Sequence, residues 1–187
     1  MPHAHDRAHD HGPSCHRLHP PELDRRGFIR LATLGAGVAL FAALPGPARA
    51  GQTDVLLLSC MDYRLMGKLA QYMAGRGLAE KYDHIVLAGA SLGAVTDKYP
   101  DWNRTFWQHL DVALQLHHIR KVVVMDHRDC GAYKVVHGID FAADPAAESR
   151  IHAETLRSLA AAIKARHAHL EVETALMALD GTVEAVA

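Results

Sequence analysis

The chain has 187 residues, of which 49% are apolar and 22% are charged. This composition is that of a folded globular protein, so it excludes a largely disordered chain, a collagen-like repeat and a coiled coil. The formal net charge of -1 leaves no excess of lysine and arginine to neutralise phosphates, which excludes a nucleic-acid partner. The three cysteines, Cys15, Cys60 and Cys130, are too few and too widely spaced for a disulfide scaffold.

Residues 1–50 are predicted to be a His-rich leader followed by an export signal. The leader, 1–23, has histidines among proline, aspartate and arginine, with no apolar period that could build a core; it is either a merely polar extension or a weak metal binder. Arg25-Arg26 then precedes an apolar run over 31–44, which is too short to span a bilayer, and Ala48-Arg49-Ala50 has the form of a cleavage site. This order resembles a twin-arginine signal. We expect a periplasmic or secreted protein that meets the membrane only during export; the alternative is a buried or amphipathic N-terminal helix.

Residues 51–187 are predicted to form one domain of alternating strands and helices. The uninterrupted apolar run at 54–59 is typical of a strand buried on both faces of a parallel sheet. Further strands are predicted over 84–88 and over the β-branched run 121–125. Apolar residues at helical spacing predict helices over 65–78, 101–117 and 146–167.

The last part of the chain predicts one or two closing strands. The segments 170–179 and 182–186 are broken by Asp180-Gly181, a sequence suited to a hairpin turn. The element order therefore predicts an α/β fold with a mostly parallel sheet flanked by helices. In such sheets the functional site lies at the carboxyl ends of the strands. One of these ends is followed by the small-residue turn 89–93, where backbone amides could approach a ligand.

Two clusters of chemically active residues follow the first and third predicted strands. They are Cys60-x-Asp62-x-Arg64 and His127-x-x-Cys130. Two thiolates and one imidazole suit Zn2+, with a fourth position left for water or a carboxylate. Asp62 could close the site as a fourth ligand, or stay free beside Arg64, which would keep it ionised and oriented.

Other interpretations of the two cysteines stay open at this point. They could be buried thiols, they could form a disulfide, or one of them could be the nucleophile of a sulfur transferase. Most of the remaining histidines are typical surface residues, although His84 or His137 could relay protons from the site.

The two motifs together resemble those of β-class carbonic anhydrases, whose hallmark is Cys-x-Asp-x-Arg followed by His-x-x-Cys. The matching residues are Ser59-Cys60-Met61-Asp62-Tyr63-Arg64 and His127-Arg128-Asp129-Cys130-Gly131-Ala132. The resemblance implies a β-carbonic-anhydrase-like fold and a homodimer or higher homo-oligomer. It also implies that Cys60, His127 and Cys130 bind Zn2+ and that Asp62 and Arg64 form the catalytic dyad. The implied reaction is the reversible hydration of carbon dioxide to bicarbonate by zinc-bound hydroxide.

The chain departs from the family pattern near the expected substrate pocket. Where members usually have an Arg-Asn-Ala-Gly type of turn, this chain has the apolar sequence 87–93, and little chain precedes the first strand to form an N-terminal arm. Leu87 and Leu92 would suit carbonyl sulfide or carbon disulfide, so a hydrolase of these substrates is one alternative. A non-enzymatic zinc carrier or sensor, in which Asp62 stays on the metal, is the other.

Overall fold

A five-stranded sheet lies at the centre of the structure, a computed structural model that describes residues 53–186. The sheet order is β2-β1-β3-β4-β5. β2, β1, β3 and β4 are parallel to their neighbours, and β5 is antiparallel to β4. This confirms the predicted α/β fold with a mostly parallel sheet. The strands are β1 (Val55–Cys60), β2 (Tyr82–Leu87), β3 (Lys121–His127), β4 (Glu171–Met177) and β5 (Val183–Ala185).

Five α-helices connect or cover these strands in the described part of the chain. They are α1 (Met66–Gly75), α2 (Ser91–Val95), α3 (Pro100–His117), α4 (Gly131–His137) and α5 (Pro145–Arg166), with a short 3-10 turn at Phe141–Ala143. The three predicted helices correspond to α1, α3 and α5, and the predicted closing hairpin is the β4–β5 pair. α2 and α4 are not predicted from the sequence. No helix within residues 53–186 is long and apolar enough to cross a membrane.

Both faces of the sheet are covered, because alternate side chains of each central strand point to opposite faces. On one face Leu56 and Leu58 of β1 pack in a core that includes Phe106 of α3 and Leu156 of α5. On the other face β1 packs in a second core with α1. Every residue of β1 is buried, as its continuous apolar sequence predicts.

The parallel register of β1 and β3 brings the two sequence motifs together. Val55 lies opposite Lys121 and Ser59 lies opposite Met125, so the carboxyl ends of the two strands meet at one edge of the sheet. β1 ends at Cys60 and β3 ends at His127.

The predicted leader and export signal at 1–50 lie outside the described residues.

Candidate metal centre

Two cysteines and a histidine converge at this edge of the sheet. Cys60 is the last residue of β1, His127 is the last residue of β3, and Cys130 is the residue that precedes α4. One ligand atom from each lies within 4.8 Å of the others, and all three residues are buried. The structure therefore brings together the three residues that the sequence predicts as metal ligands, and no other such group of three occurs among residues 53–186.

The sulfur geometry fits a tetrahedral metal ion rather than a disulfide. Cys60 Sγ and Cys130 Sγ lie 3.9 Å apart, and both cysteines are free. A disulfide would need an S–S distance of about 2.05 Å. Two sulfurs on a tetrahedral Zn2+ at about 2.3 Å each would lie roughly 3.8 Å apart, close to the distance observed.

His127 presents a nitrogen to the same space. Its Nδ1 donates to the Arg128 carbonyl oxygen at 2.8 Å, which assigns the lone pair to Nε2. That buried Nε2 has no hydrogen-bond partner within the described range 53–186. A buried polar atom without a partner costs free energy unless a ligand satisfies it. The donor set and the orphaned nitrogen therefore fit a metal ion such as Zn2+.

The surroundings of Cys60 favour its thiolate form. The contact with Cys130 holds the pKa of Cys60 well below the usual range, against the effect of burial, and His127 and the Gly89 N–H act in the same direction. Gly89 donates to Cys60 Sγ at 3.3 Å from a left-handed backbone conformation with φ of 76°. The hydrogen bond with Cys60, together with burial and the charge on Cys60, raises the pKa of Cys130. Of the two thiols, Cys60 is therefore the more easily deprotonated.

Asp62 lies at the edge of this cluster and is held by Arg64. Arg64 Nη2 donates to Asp62 Oδ2 at 2.7 Å, Arg64 Nε donates to Asp62 Oδ1 at 3.0 Å, and the Arg64 backbone N–H donates to Asp62 Oδ1 at 3.0 Å. These bonds with Arg64 lower the pKa of Asp62 to about 2. Asp62 Oδ2 is 3.8 Å from His127 Nε2, so the carboxylate faces the cluster while it is bonded to Arg64.

An apolar cavity of about 520 Å³ opens beside Cys60 and Asp62. The rings of Tyr99 and Trp102 stack on each other in its wall, with centroids 4.1 Å apart. The lining residues are Cys60, Met61, Asp62, Tyr63, Ala88, Tyr99, Trp102, Gly131, Ala132 and Val135. Leu87 and Leu92, expected from the sequence to shape this pocket, are not among them. Leu92 is instead buried in the core, 4% exposed, because α2 turns it inward.

The two histidines considered as proton relays lie elsewhere. His84 Nε2 is bonded to Ser59 Oγ at 2.7 Å, and His137 stacks on Tyr133 with centroids 5.8 Å apart. Neither lines the cavity. Their contacts therefore give no support to a relay from the cluster.

A buried carboxylate, Asp126, lies next to His127 in β3 and is not predicted as a functional residue from the sequence. Asp126, 1% exposed, accepts from the Ser91 N–H at 3.0 Å, Ser91 Oγ at 2.6 Å, Tyr133 Oη at 2.6 Å and His152 Nδ1 at 2.9 Å. These donors belong to α2, α4 and α5, so one carboxylate joins three helices to the end of β3. The signal that could identify it is a charged residue directly after the apolar run 121–125 and before the predicted ligand His127.

A second carboxylate, that of Asp129, contacts Arg64 and is not predicted from the sequence. Asp129 Oδ2 accepts from Arg64 Nη1 at 2.9 Å, and the Asp129 carbonyl oxygen accepts from Arg64 Nη2 at 3.0 Å. Only the tertiary structure brings these residues together, since they are far apart in sequence. Arg64 therefore lies between two aspartates, of which only Asp62 faces the cluster.

Comparison with known proteins places this fold and site in a family. A protein of Rickettsia conorii is 37% identical over 135 residues, which are 72% of this chain and 73% of that protein. A protein of Rickettsia bellii is 35% identical over 135 residues, which are 72% of this chain and 82% of that protein. Both are described as uncharacterized. The carbonic anhydrase of Streptococcus mutans has 21% identity and a TM-score of 0.49, with 87% of this chain and 96% of that chain covered. Residues 50–187 match the family described as "Putative carbonic anhydrase", and the chain belongs to that family.

Proposed function

We propose that the protein is a zinc-dependent carbonic anhydrase that catalyses the reversible hydration of carbon dioxide to bicarbonate. The observation that carries this proposal is the pairing of Asp62 with Arg64 beside the Cys60, His127 and Cys130 cluster. Held in this way, the carboxylate is kept from serving as a fourth ligand, and both it and Cys60 line the apolar cavity. Family membership and the fit of the donor set support the same conclusion.

Cys60, His127 and Cys130 would hold the Zn2+ ion in this proposal. When bound, the ion supplies a Lewis acid that lowers the pKa of a water molecule in the open position. The Arg128 carbonyl oxygen fixes the ring of His127 through Nδ1, and the Gly89 N–H stabilises the charge on Cys60. These contacts position the ligand atoms before the ion binds.

Asp62 has the geometry to orient that water. Its Oδ2 faces the cluster, and the bonds to Arg64 lower its pKa to about 2 and fix its orientation. An ionised carboxylate accepts a hydrogen bond, so Asp62 Oδ2 would direct the water's remaining lone pairs toward the substrate. A protonated Asp62, or one that binds the ion itself, could not do this.

The apolar wall of the cavity favours a small uncharged substrate. Tyr99, Trp102 and Val135 offer few groups that would bind a charged one, so carbon dioxide can enter while the bicarbonate anion is released to solvent. The same wall favours carbonyl sulfide or carbon disulfide as a second candidate. Hydrolysis of these linear molecules would need the same ligands and the same dyad.

Metal analysis of the full chain combined with stopped-flow carbon dioxide hydration tests the proposal. We expect the chain to contain one more Zn2+ than a Cys60→Ser, Cys130→Ser variant. That variant is the reference because it keeps any Zn2+ bound by the His-rich leader. We also expect the wild type to hydrate carbon dioxide between pH 7 and 9. Zinc-loaded protein that hydrates no carbon dioxide in this range would overturn the proposal. Hydrolysis of carbonyl sulfide by that same protein would establish the second candidate.

We also propose that the chain assembles with copies of itself and is exported. Met61, Tyr63 and Val135 at the cavity are 65%, 86% and 60% exposed, and apolar side chains this exposed favour cover by another chain. Sedimentation of the purified protein as a monomer would contradict a homodimer or higher homo-oligomer.

Export by the twin-arginine route rests on the sequence of residues 1–50 alone.

A further inference from the structure

Arg64 is fixed from two sides. Its Nε and Nη2 donate to Asp62, while Nη1 donates to Asp129 Oδ2 at 2.9 Å and Nη2 also donates to the Asp129 carbonyl oxygen at 3.0 Å. The side chains of Arg64 and Asp129 are 33% and 39% exposed. A side chain so open to solvent would otherwise sample several rotamers, since arginine has much rotamer entropy.

The backbone of Asp129 is arranged for this contact. Its φ of 55° is left-handed, a conformation that aspartate and asparagine adopt more readily than most residues. In this conformation both its carboxylate and its carbonyl oxygen reach the same guanidinium. The buried carboxylate of Glu148 on α5 accepts from the Asp129 N–H at 2.6 Å, which anchors the turn to the fold.

We propose that Asp129 is a positioning residue that holds Arg64 in the orientation that keeps Asp62 off the metal. This inference rests on the proposed function, because it concerns the open metal position. Asp129 lines no part of the cavity and does not touch the reacting atoms. It acts through Arg64, because its carboxylate accepts from Nη1 while the Asp62 carboxylate accepts from Nε and Nη2.

If the two aspartates competed for Arg64, removal of the Asp129 side chain would strengthen the bonds between Arg64 and Asp62 and would keep Asp62 off the metal. Their carboxylates do not share a donor atom, since Nε and Nη2 donate to the Asp62 carboxylate and Nη1 donates to the Asp129 carboxylate. Screening also weakens the charge repulsion between partly exposed groups. Immobilisation of the guanidinium is therefore the larger effect, and removing the Asp129 side chain should release Asp62 toward the metal.

Two substitutions separate this role from folding. Asp129→Gly removes the carboxylate and suits the positive φ, whereas Asp129→Asn keeps an acceptor for Arg64 and also tolerates that conformation. Lys134→Ala is the control, because Lys134 Nζ pairs with Asp129 Oδ1 at 2.6 Å and does not touch Arg64. A similar loss in Lys134→Ala would show that the ion pair with Lys134, and not the contact with Arg64, matters.

The assay measures azide binding to the Co2+-loaded full chain. Binding is monitored through the thiolate-to-cobalt absorption. The Cys60→Ser, Cys130→Ser variant is the blank. Azide needs the open position, so it competes with Asp62 for the metal. We expect azide to bind about tenfold more weakly to Asp129→Gly, the effect of ~1.4 kcal/mol, and about threefold more weakly to Asp129→Asn. Lys134→Ala should match the wild type within about twofold, the scale of an exposed ion pair. Hydration should fall in the same order.

Wild-type azide affinity in folded Asp129→Gly, or tighter binding, would overturn the inference. Should that variant fail to fold, wild-type affinity in Asp129→Asn would overturn it instead. A wild-type protein that binds azide but hydrates no carbon dioxide would refute the proposed function alone, and the azide series would still decide the role of Asp129. A wild-type protein without thiolate-to-cobalt absorption would refute both.

Discussion

Replacing Arg64 with alanine removes the group that holds Asp62 away from the metal ligands. Three side-chain contacts with Asp62 are lost, from Nη2 to Oδ2 at 2.7 Å and from Nε to Oδ1 and Oδ2 at 3.0 and 3.2 Å. The backbone N–H of residue 64 donates to Asp62 Oδ1 at 3.0 Å, and alanine keeps that bond. Asp62 thus stays next to the cluster but loses its restraint. We expect it to bind the metal and close the fourth position.

The expected loss of activity follows from the bonds that disappear. A hydrogen bond between charged groups contributes about 1.5–3 kcal/mol, and partial exposure of the Arg64 side chain favours the lower value. Two well-formed bonds at the lower value give about 3 kcal/mol, which corresponds to a hundredfold or somewhat larger loss of hydration. Zn2+ content should not change, because Cys60, His127 and Cys130 are untouched.

Stopped-flow carbon dioxide hydration and metal analysis measure the two quantities on the same sample. Arg104→Ala is the matched control, since it breaks an Arg–Asp pair on α3, Arg104 with Asp101 at 2.6 Å, that is largely exposed. The control should hydrate carbon dioxide like the wild type. If Arg64→Ala kept its zinc and hydrated carbon dioxide at the wild-type rate, the role of the Asp62–Arg64 pair would be refuted.

The pH dependence of hydration by Arg64→Ala shows whether activity is lost because Asp62 has moved or because Asp62 is protonated. Arg64 depresses the pKa of Asp62 to about 2, so the stabilisation is present above the usual value of 3.8 and is lost as the pH falls toward 2. Without Arg64 the pKa rises back toward 3.8, and Asp62 is still ionised between pH 7 and 9. Raising the pH should therefore not restore the activity of Arg64→Ala. Recovery at alkaline pH would indicate a protonation effect instead.

Three further predictions concern the metal, the core and export. Cys60→Ser combined with Cys130→Ser should lower bound Zn2+ by one per chain in metal analysis, and unchanged occupancy would disprove the ligand assignment. Asp126→Ala should lower the free energy of unfolding by about 3 kcal/mol or more in denaturant titration, because buried donors lose their acceptor, whereas Asp126→Asn should lower it less. Equal stability of both variants and the wild type would contradict that reasoning. Changing Arg25-Arg26 to Lys-Lys should retain the precursor in the cytoplasm on fractionation, and an unchanged exported yield would exclude the twin-arginine route.

The parallel core could be predicted because its signals are local. β1 is a continuous apolar run, α5 begins at Pro145 after the capping residue Asp144, whose carboxylate accepts from the Ala147 N–H at 2.9 Å, and the turn between β4 and β5 contains Asp180-Gly181. Each of these sequence patterns predicts its element without any knowledge of long-range contacts. Their order along the chain then selects the fold class.

The short helices could not be predicted, because seven or fewer residues carry too little periodicity. α2 was interpreted as a small-residue turn and α4 was missed. The predicted end of β3 at Met125 was also early, since the strand continues to His127, which lies opposite Met177. A charged residue normally indicates the end of a buried strand, but Asp126 stays buried because donors from other elements satisfy its carboxylate.

That buried carboxylate links the stability of the fold to the geometry of the candidate metal centre. Asp126 fixes the start of α2 through Ser91, next to Ala90, a residue with a positive φ of 45°. The same turn presents the Gly89 N–H to Cys60 Sγ. A non-glycine residue in this backbone region is strained, and strain persists only where the surroundings hold it. Loss of Asp126 should therefore let the turn relax and withdraw a donor from the thiolate, so that metal affinity falls together with stability.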